Sequence, residues 1–189
     1  MIITVIFYIL VATTAIQLLY FICFSTILFV KKKKKSIEQI PVSVIICAKN
    51  EEQNLQTFLP NIIKQQYADF EIVLINDASS DDTLEIMQSF KEKHANIKIV
   101  NVKNNEAFWG NKKYALTLGI KAAKNEHLLF TDADCKPVSK LWIQTMVQQF
   151  SKSKTIVLGY GKYRTRKTFV NLLVRFETLL TAIQYFSYA

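Results

Sequence analysis

Residues 41–52 run Pro-Val-Ser-Val-Ile-Ile-Cys-Ala-Lys-Asn-Glu-Glu, and residues 71–82 run Glu-Ile-Val-Leu-Ile-Asn-Asp-Ala-Ser-Ser-Asp-Asp. Each stretch is a short β-branched run that breaks into polar and acidic residues. The apolar runs are nearly continuous, as in strands buried on both faces, where alternation would mark a sheet with one wet face. Val42–Cys47 and Glu71–Asn76 are therefore expected as strands of a mainly parallel sheet. The chain between and beyond them alternates helical and strand patterns. Glu51–Gln66 carries Leu55, Phe58, Leu59, Ile62 and Ile63 on one helical face, with Pro60 as a kink point inside it. The Ser-Ser-Asp-Asp cluster at 79–82 supplies the cap of a helix to about His94. Ile97–Val102, Glu126–Thr131 and Thr155–Tyr160 are expected as further strands. Lys112–Lys124, with Ala115, Leu118 and Ala122 facing inward, and Val138–Phe150 are expected as helices. Alternation on this scale means an α/β fold, a mainly parallel sheet flanked by helices.

The chain ahead of this domain is different. Residues 1–30 contain no charged residue and no histidine, and Lys31 to Lys35 follow without a break. A thirty-residue helix is about 45 Å long, more than the ~30 Å hydrocarbon core of a bilayer. A cleaved signal peptide would need a basic start and small residues before its cleavage site, and Phe21 to Val30 is too bulky. Residues 1–30 are thus expected as one transmembrane helix, 31–40 as a basic linker, and 41–189 as the folded domain. Basic flanks stay on the cytoplasmic side and meet anionic lipid. The expected location is a single-pass membrane anchor with the N-terminus out and the domain in the cytoplasm.

Of the net charge of +9, the five lysines supply five, leaving +4 spread over the rest. So diffuse a charge, with no basic stripe and interleaved aromatics, points to no nucleic-acid partner. The three cysteines lack CxxC spacing, which implies reduced thiols and no thiolate metal cluster. GxxxxGK[ST] is absent, and the four glycines, at 110, 119, 159 and 161, build no GxGxxG after a strand. His94 and His127 are far apart and suit surface positions at a helix end and a strand start. Past Lys167 a stripe of Leu172, Leu173, Phe176, Leu179, Leu180 and Ile183 reads as a helix, either packed on the domain or lying at an interface.

Open α/β sheets bind ligands at the carboxyl ends of their strands. Three strands deliver acidic residues there: Glu51 and Glu52 after the first, Asp77 after the second, Asp132 and Asp134 after the fourth. Carboxylates crowded in this way repel unless a cation or a donor-rich ligand sits among them. Asp132 and Asp134, one residue apart, suit a hard cation such as Mg²⁺ or Mn²⁺. By itself the same pair also suits a solvated turn capping the helix after Pro137.

The segments 41–52 and 75–82, with Asn-Lys-Lys-Tyr-Ala-Leu at 111–116 and Phe-Thr-Asp-Ala-Asp-Cys at 130–135, together resemble the donor-binding half of a family 2 glycosyltransferase. The resemblance covers about residues 41–160 and implies a GT-A type nucleotide-binding domain. It implies that Ala48 and Glu51 border the base and ribose, and that Asp77 accepts a hydrogen bond from a pyrimidine ring. Lys112 would lie beside the nucleotide, Asp132 at ribose or metal, and Asp134 on the Mg²⁺ or Mn²⁺ that bridges the diphosphate. Asn111 stands where glycine is frequent in that family.

The implied activity is metal-dependent transfer of a sugar from a nucleotide diphosphate, with uridine the expected base, to an unidentified acceptor hydroxyl, with inversion. The family's general base lies further along the chain than its donor half. Residues 135–189 offer no good candidate for it, since Glu177 sits inside an apolar stripe, and the base is expected beyond Ala189. Three readings stay open: the N-terminal part of a transferase cut short, a non-catalytic nucleotide-sugar-binding module on the membrane, or a nucleotidyltransferase-like enzyme, since such folds also place carboxylates and a metal at strand ends.

Overall fold

The computed structural model describes residues 2–25, 39–103, 112–151 and 155–188. Lys31 to Lys35 and Asn111 fall outside the described residues. The chain divides into two compact units, Lys35–Val157 and, separately, Met1–Lys34 with Leu158–Ala189.

In the larger unit four strands form one parallel sheet: β1 (Val42–Ala48), β2 (Phe70–Asp77), β3 (Ile97–Val102) and β4 (His127–Asp132). Their spatial order is β3-β2-β1-β4. β1 and β2 are central, and residues Val42 to Ile46 and Ile72 to Ile75 are buried in full, as their unbroken apolar runs require. Helices α2 (Glu52–Ile63) and α3 (Thr83–Lys93) carry the chain outward from β1 to β3. Helix α4 (Lys112–Ala122) then returns it across the sheet to β4, on the other side of β1. The chain therefore reverses direction between β1 and β4. In open α/β sheets that reversal leaves a crevice at the strands' carboxyl ends.

The strand period of two divides the core into two layers. Val44, Ile46, Ile72 and Leu74 face α2, α3 and the short helix α5 (Trp142–Val147), meeting Leu55, Leu59, Met87 and Ile143. Each such fully buried aliphatic side chain contributes about 1.5–3 kcal/mol. Ile45, Val73 and Ile75 face α4 through Ala115, with Leu118 and Ala122 partly buried beside them. Gly119 on α4 lies so close to β2 that a Cβ would come within 2.8 Å of Ile75 Cγ1.

Several boundaries differ from the sequence expectation. Helix α2 runs through Pro60 unbroken and ends at Ile63, where buried Gln65 takes over. The Gln65 amide donates to Asn61 O and Ser139 O and accepts from Ile143 N, tying α2 to α5. Those bonds to Ser139 and Ile143 accompany a helix limited to Trp142–Val147, where Val138–Phe150 was expected. Asp81 holds the start of α3, accepting from both the N–H and the hydroxyl of Thr83, while Ser79 and Ser80 are turned to the β1–α2 loop. Thr155–Tyr160 forms no strand. Its β-branched composition favours extended backbone, but strands exist by pairing, and among the described residues the sheet ends at β4. His127 opens β4 edge-to-face with Phe150, and His94 caps α3, so neither joins the crevice.

In the smaller unit, α1 (Ile2–Ser25) is apolar on all sides. Among the described residues it is the one helix long and apolar enough to cross a membrane. Helix α6 (Phe169–Tyr188) packs against it.

Candidate functional site

The parallel register sets which residues reach the crevice together. Ala48 pairs with Asn76, Cys47 with Asp132, and Asp77, one step further out, with Val102. Register partners share a face, so Cys47, Asp77 and Asp132 all lie on the α4 side of the sheet. Ala48 lies on the other side, 1% exposed within the α2–α3 core. Only its main chain can meet a ligand.

Lys112 opens α4, where the helix dipole disfavours a cation. Its Nζ lies 2.7 Å from Asp132 Oδ1, and that bond raises the ammonium above its ordinary pKa of 10.5, with burial opposing and Asp134 adding to the rise. Lys112 and Asp132 are both more than half exposed, so the pair is open to a ligand from solvent.

Ala133 explains how two acidic neighbours face outward. Its methyl is buried in the α2–α5 core, and the carboxylates on either side are left exposed. Asp132, Asp134 and Cys135 place one donor atom each within 4.8 Å of one another. Burial, then the Asp134 charge, pushes the Cys135 thiol up, and its soft sulfur is ill matched to a hard cation. The usable donors are carboxylate oxygens, a hard and incomplete set. Such a set fits Mg²⁺ or Mn²⁺, which complete their shells with phosphate and water.

On the other flank, the loops after β1 and β2 are sewn together. Asn50, in the left-handed region at φ 57°, donates its N–H to Ser79 Oγ at 3.0 Å and accepts Ser80 N–H at 2.8 Å on Oδ1. Glu51 N–H donates to Thr83 Oγ1 at 2.8 Å, and the Glu51 carboxylate accepts from Asn54 Nδ2 at 2.6 Å. Ala78, directly after Asp77, is also left-handed at φ 49°. Such a conformation costs an alanine of order 1 kcal/mol or more and persists only where neighbours enforce it. Here it turns the chain between Asp77 and the Ser79–Ser80 clamp. Among the described residues the Asp77 carboxylate accepts no hydrogen bond, and the start of α3 is held by Asp81 instead.

The structure thus brings Asp77, Lys112, Asp132 and Asp134 to one edge of the sheet, with Glu51 on the neighbouring loop. Two participants went unnoticed in the sequence. Cys47 was taken only as part of an apolar run, yet it lies half-buried between Asp77 and Asp132. Burial and those carboxylates push its thiol up to about 11, against the pull of Lys112. Asn50 was read as part of a polar loop. Its left-handed backbone is a conformation asparagine tolerates better than most residues, which was the available signal.

Residues 43–187 match the family described as glycosyl transferase family 2. The chain is 36% identical over 111 residues to the poly-beta-1,6-N-acetyl-D-glucosamine synthase of Staphylococcus epidermidis, covering 59% of this chain and 25% of that protein. It is 27% identical over 132 residues to the UDP-Glc:alpha-D-GlcNAc-diphosphoundecaprenol beta-1,3-glucosyltransferase WfaP of Escherichia coli, covering 68% of this chain and 48% of that one. Among solved structures, the mannosyltransferase PcManGT from Pyrobaculum calidifontis, in complex with GDP-Man and Mn²⁺, superposes with a TM-score of 0.59. Its identity is 25%, over 72% of this chain and 40% of that one. The chain spans about a quarter of the synthase and just under half of the glucosyltransferase.

Proposed function

Because this chain belongs to glycosyl transferase family 2, we propose that its sheet edge binds a nucleotide-diphosphate sugar for transfer of the sugar to an acceptor hydroxyl. The observation that carries the reading is the Lys112–Asp132 pair at the crevice between β1 and β4, with Asp134 two residues on. One cation and two carboxylates at a topological reversal suit a diphosphate with its counter-ion.

Each residue has a task in this reading. Asp77 accepts a ring N–H of the base, uridine by preference. The likeness to a relative named for UDP-Glc supports that choice, while the neighbour bound to GDP-Man keeps guanine as the competitor to test. The Ala48 main chain and Glu51, held by Asn54, border the base and ribose. Lys112 exchanges Asp132 for a diphosphate oxygen. Asp134 and Asp132 hold Mg²⁺ or Mn²⁺, which when bound neutralises charge on the departing diphosphate as a Lewis acid. Inversion at the anomeric carbon requires a carboxylate base for the acceptor hydroxyl. We assign that role to no residue of this chain.

The same proposal extends to location. Helix α1, exposed and apolar throughout most of its length, crosses the membrane with residues 31–40 as its basic cytoplasmic flank and 41–189 as the transferase domain.

Titrating Mn²⁺ by electron paramagnetic resonance tests the site without requiring turnover. Binding should tighten strongly with uridine diphosphate and less with guanosine diphosphate. Asp134→Asn should lose most of that gain, and Asp77→Ala should weaken nucleotide binding by ~1–3 kcal/mol through an unpaired ring donor. Asp82→Asn, an exposed position outside the crevice, should behave as wild type. Equal metal–nucleotide binding by wild type and Asp134→Asn would reduce Asp132–Asp134 to a turn.

A further inference from the structure

Helix α6 carries an apolar stripe that its own unit leaves uncovered. Phe169, Leu172, Leu173, Phe176 and Leu179 recur at intervals of three and four, so they share one face, and every one of them is exposed. Arg175 and Glu177 border that face on either side. Immediately before the helix come Lys162, Arg164, Arg166 and Lys167, all exposed. The turn holding them is built, because Asn171 in the first turn of α6 accepts Arg166 N–H at 2.8 Å and donates to Arg164 O at 3.1 Å. Thr168 caps the helix by accepting Asn171 N–H at 3.2 Å. Tyr160 and Tyr163 are exposed in the same segment.

We propose that this face of α6, with the basic turn ahead of it, lies on an anionic lipid surface. An exposed apolar stripe bordered by charge is the pattern of a helix lying in the plane of an interface. Four cations beside it match anionic head groups, and tyrosines favour the same depth. Position agrees with composition. α6 packs against α1, and the apolar sequence that begins with α1 leads into Lys31 to Lys35. The proposal stands beside the reading of α1 as a span, and it makes the lipid surface a second, electrostatically tuned contact.

The test uses the full chain in lipid nanodiscs of phosphatidylcholine, with or without phosphatidylglycerol. An environment-sensitive fluorophore is placed by Phe176→Cys, Thr181→Cys or Leu10→Cys, after Cys23→Ser and Cys135→Ser. Cys47, with its thiol pushed up to about 11, labels slowly. Brominated acyl chains should quench the label at 176 in the presence of phosphatidylglycerol and leave the label at 181, off the stripe, bright. Quenching at 10 reports the span independently. Quenching at 10 without quenching at 176 overturns the proposal, and a blue-shifted but unquenched label at 176 assigns that face to protein, a second copy included. Quenching at 176 without quenching at 10 retains α6 on lipid and removes the span. Replacing the four cations by Lys162→Gln, Arg164→Gln, Arg166→Gln and Lys167→Gln, or raising the salt, should return the 176 signal to its level in pure phosphatidylcholine. A signal indifferent to both overturns the choice of anionic lipid.

Discussion

Lys112 and Asp132 are twenty positions apart, and the fold sets the ammonium of one 2.7 Å from the carboxylate of the other at the open edge of the sheet. A lysine in the first turn of a helix gains nothing from the helix itself. Its partner comes from β4, which the α4 crossover places beside β1. This cation serves as the counter-charge of Asp132.

The pair should therefore matter more to ligand binding than to stability. Lys112→Met should change the free energy of unfolding by no more than about 1 kcal/mol near neutral pH, because both partners are exposed and screened. The Lys112 pKa is raised on folding, so its contribution is complete below the ordinary value of 10.5 and is lost as pH rises through the folded value. Wild type and variant should converge in alkaline solution. Urea unfolding of the detergent-solubilised chain as a function of pH measures this. Calorimetric binding of uridine diphosphate with Mn²⁺ should weaken about 10- to 100-fold in the same variant, as loss of a charged hydrogen bond predicts.

Asn50 supplies a conformational prediction. Asn50→Gly keeps the left-handed backbone and removes the acceptor for Ser80, whereas Asn50→Ala removes both. Alanine should be the less stable of the two by about 1 kcal/mol. Amide hydrogen exchange at Ser80 should quicken in both variants, because its 2.8 Å acceptor is gone. Asn50→Ala equal to or more stable than Asn50→Gly would mean the strain at φ 57° is not felt.

Cys47 offers a chemical probe of the crevice. With its thiol pushed up from 9.0 to about 11, alkylation at pH 8 should run about 100-fold slower than at an ordinary exposed thiol. Asp77→Asn should speed the reaction by removing a nearby negative charge, and Lys112→Met should slow it. The raised pKa also works against folding in alkali. The unfolded thiol ionises above 9.0 while the folded one does not, so stability should fall between pH 9 and 11, and Cys47→Ala should lack that component.

What the sequence disclosed and what it withheld divide along physical lines. Val42–Cys47 and Glu71–Asn76 were legible because a strand buried on both faces leaves an apolar run that few other structures require. Asp77, Asp132 and Asp134 were legible because strand ends in such a sheet point one way, whereas Lys112, which opens α4, was legible only through the family resemblance. Thr155–Tyr160 has the same kind of composition and pairs with nothing described, because hydrophobicity records a need for burial and not the partner that meets it. Which member of the 79–82 cluster caps α3 was not legible, for a related reason. Ser79, Ser80 and Asp81 can all accept a backbone N–H, and the approach of the Asn50 loop decides which hydroxyl is already engaged. Cys47 was hidden by register, since its neighbours Asp77 and Asp132 are adjacent only once three strands are aligned.

The strand order also bears on how the chain reaches this state. Cys47 lies next to Asp132, 85 positions later, so one edge of β1 stays without its neighbour until most of the domain has been synthesised. β2 can zip onto the opposite edge early, after one short helix, leaving Val42 to Cys47 as an apolar ribbon with unpaired amides and carbonyls. Such an edge is the kind that recruits strands from other chains. A ribosome pausing between α4 and β4 would prolong that exposure, and a β4 weakened by mutation would be felt first as aggregation of the nascent chain.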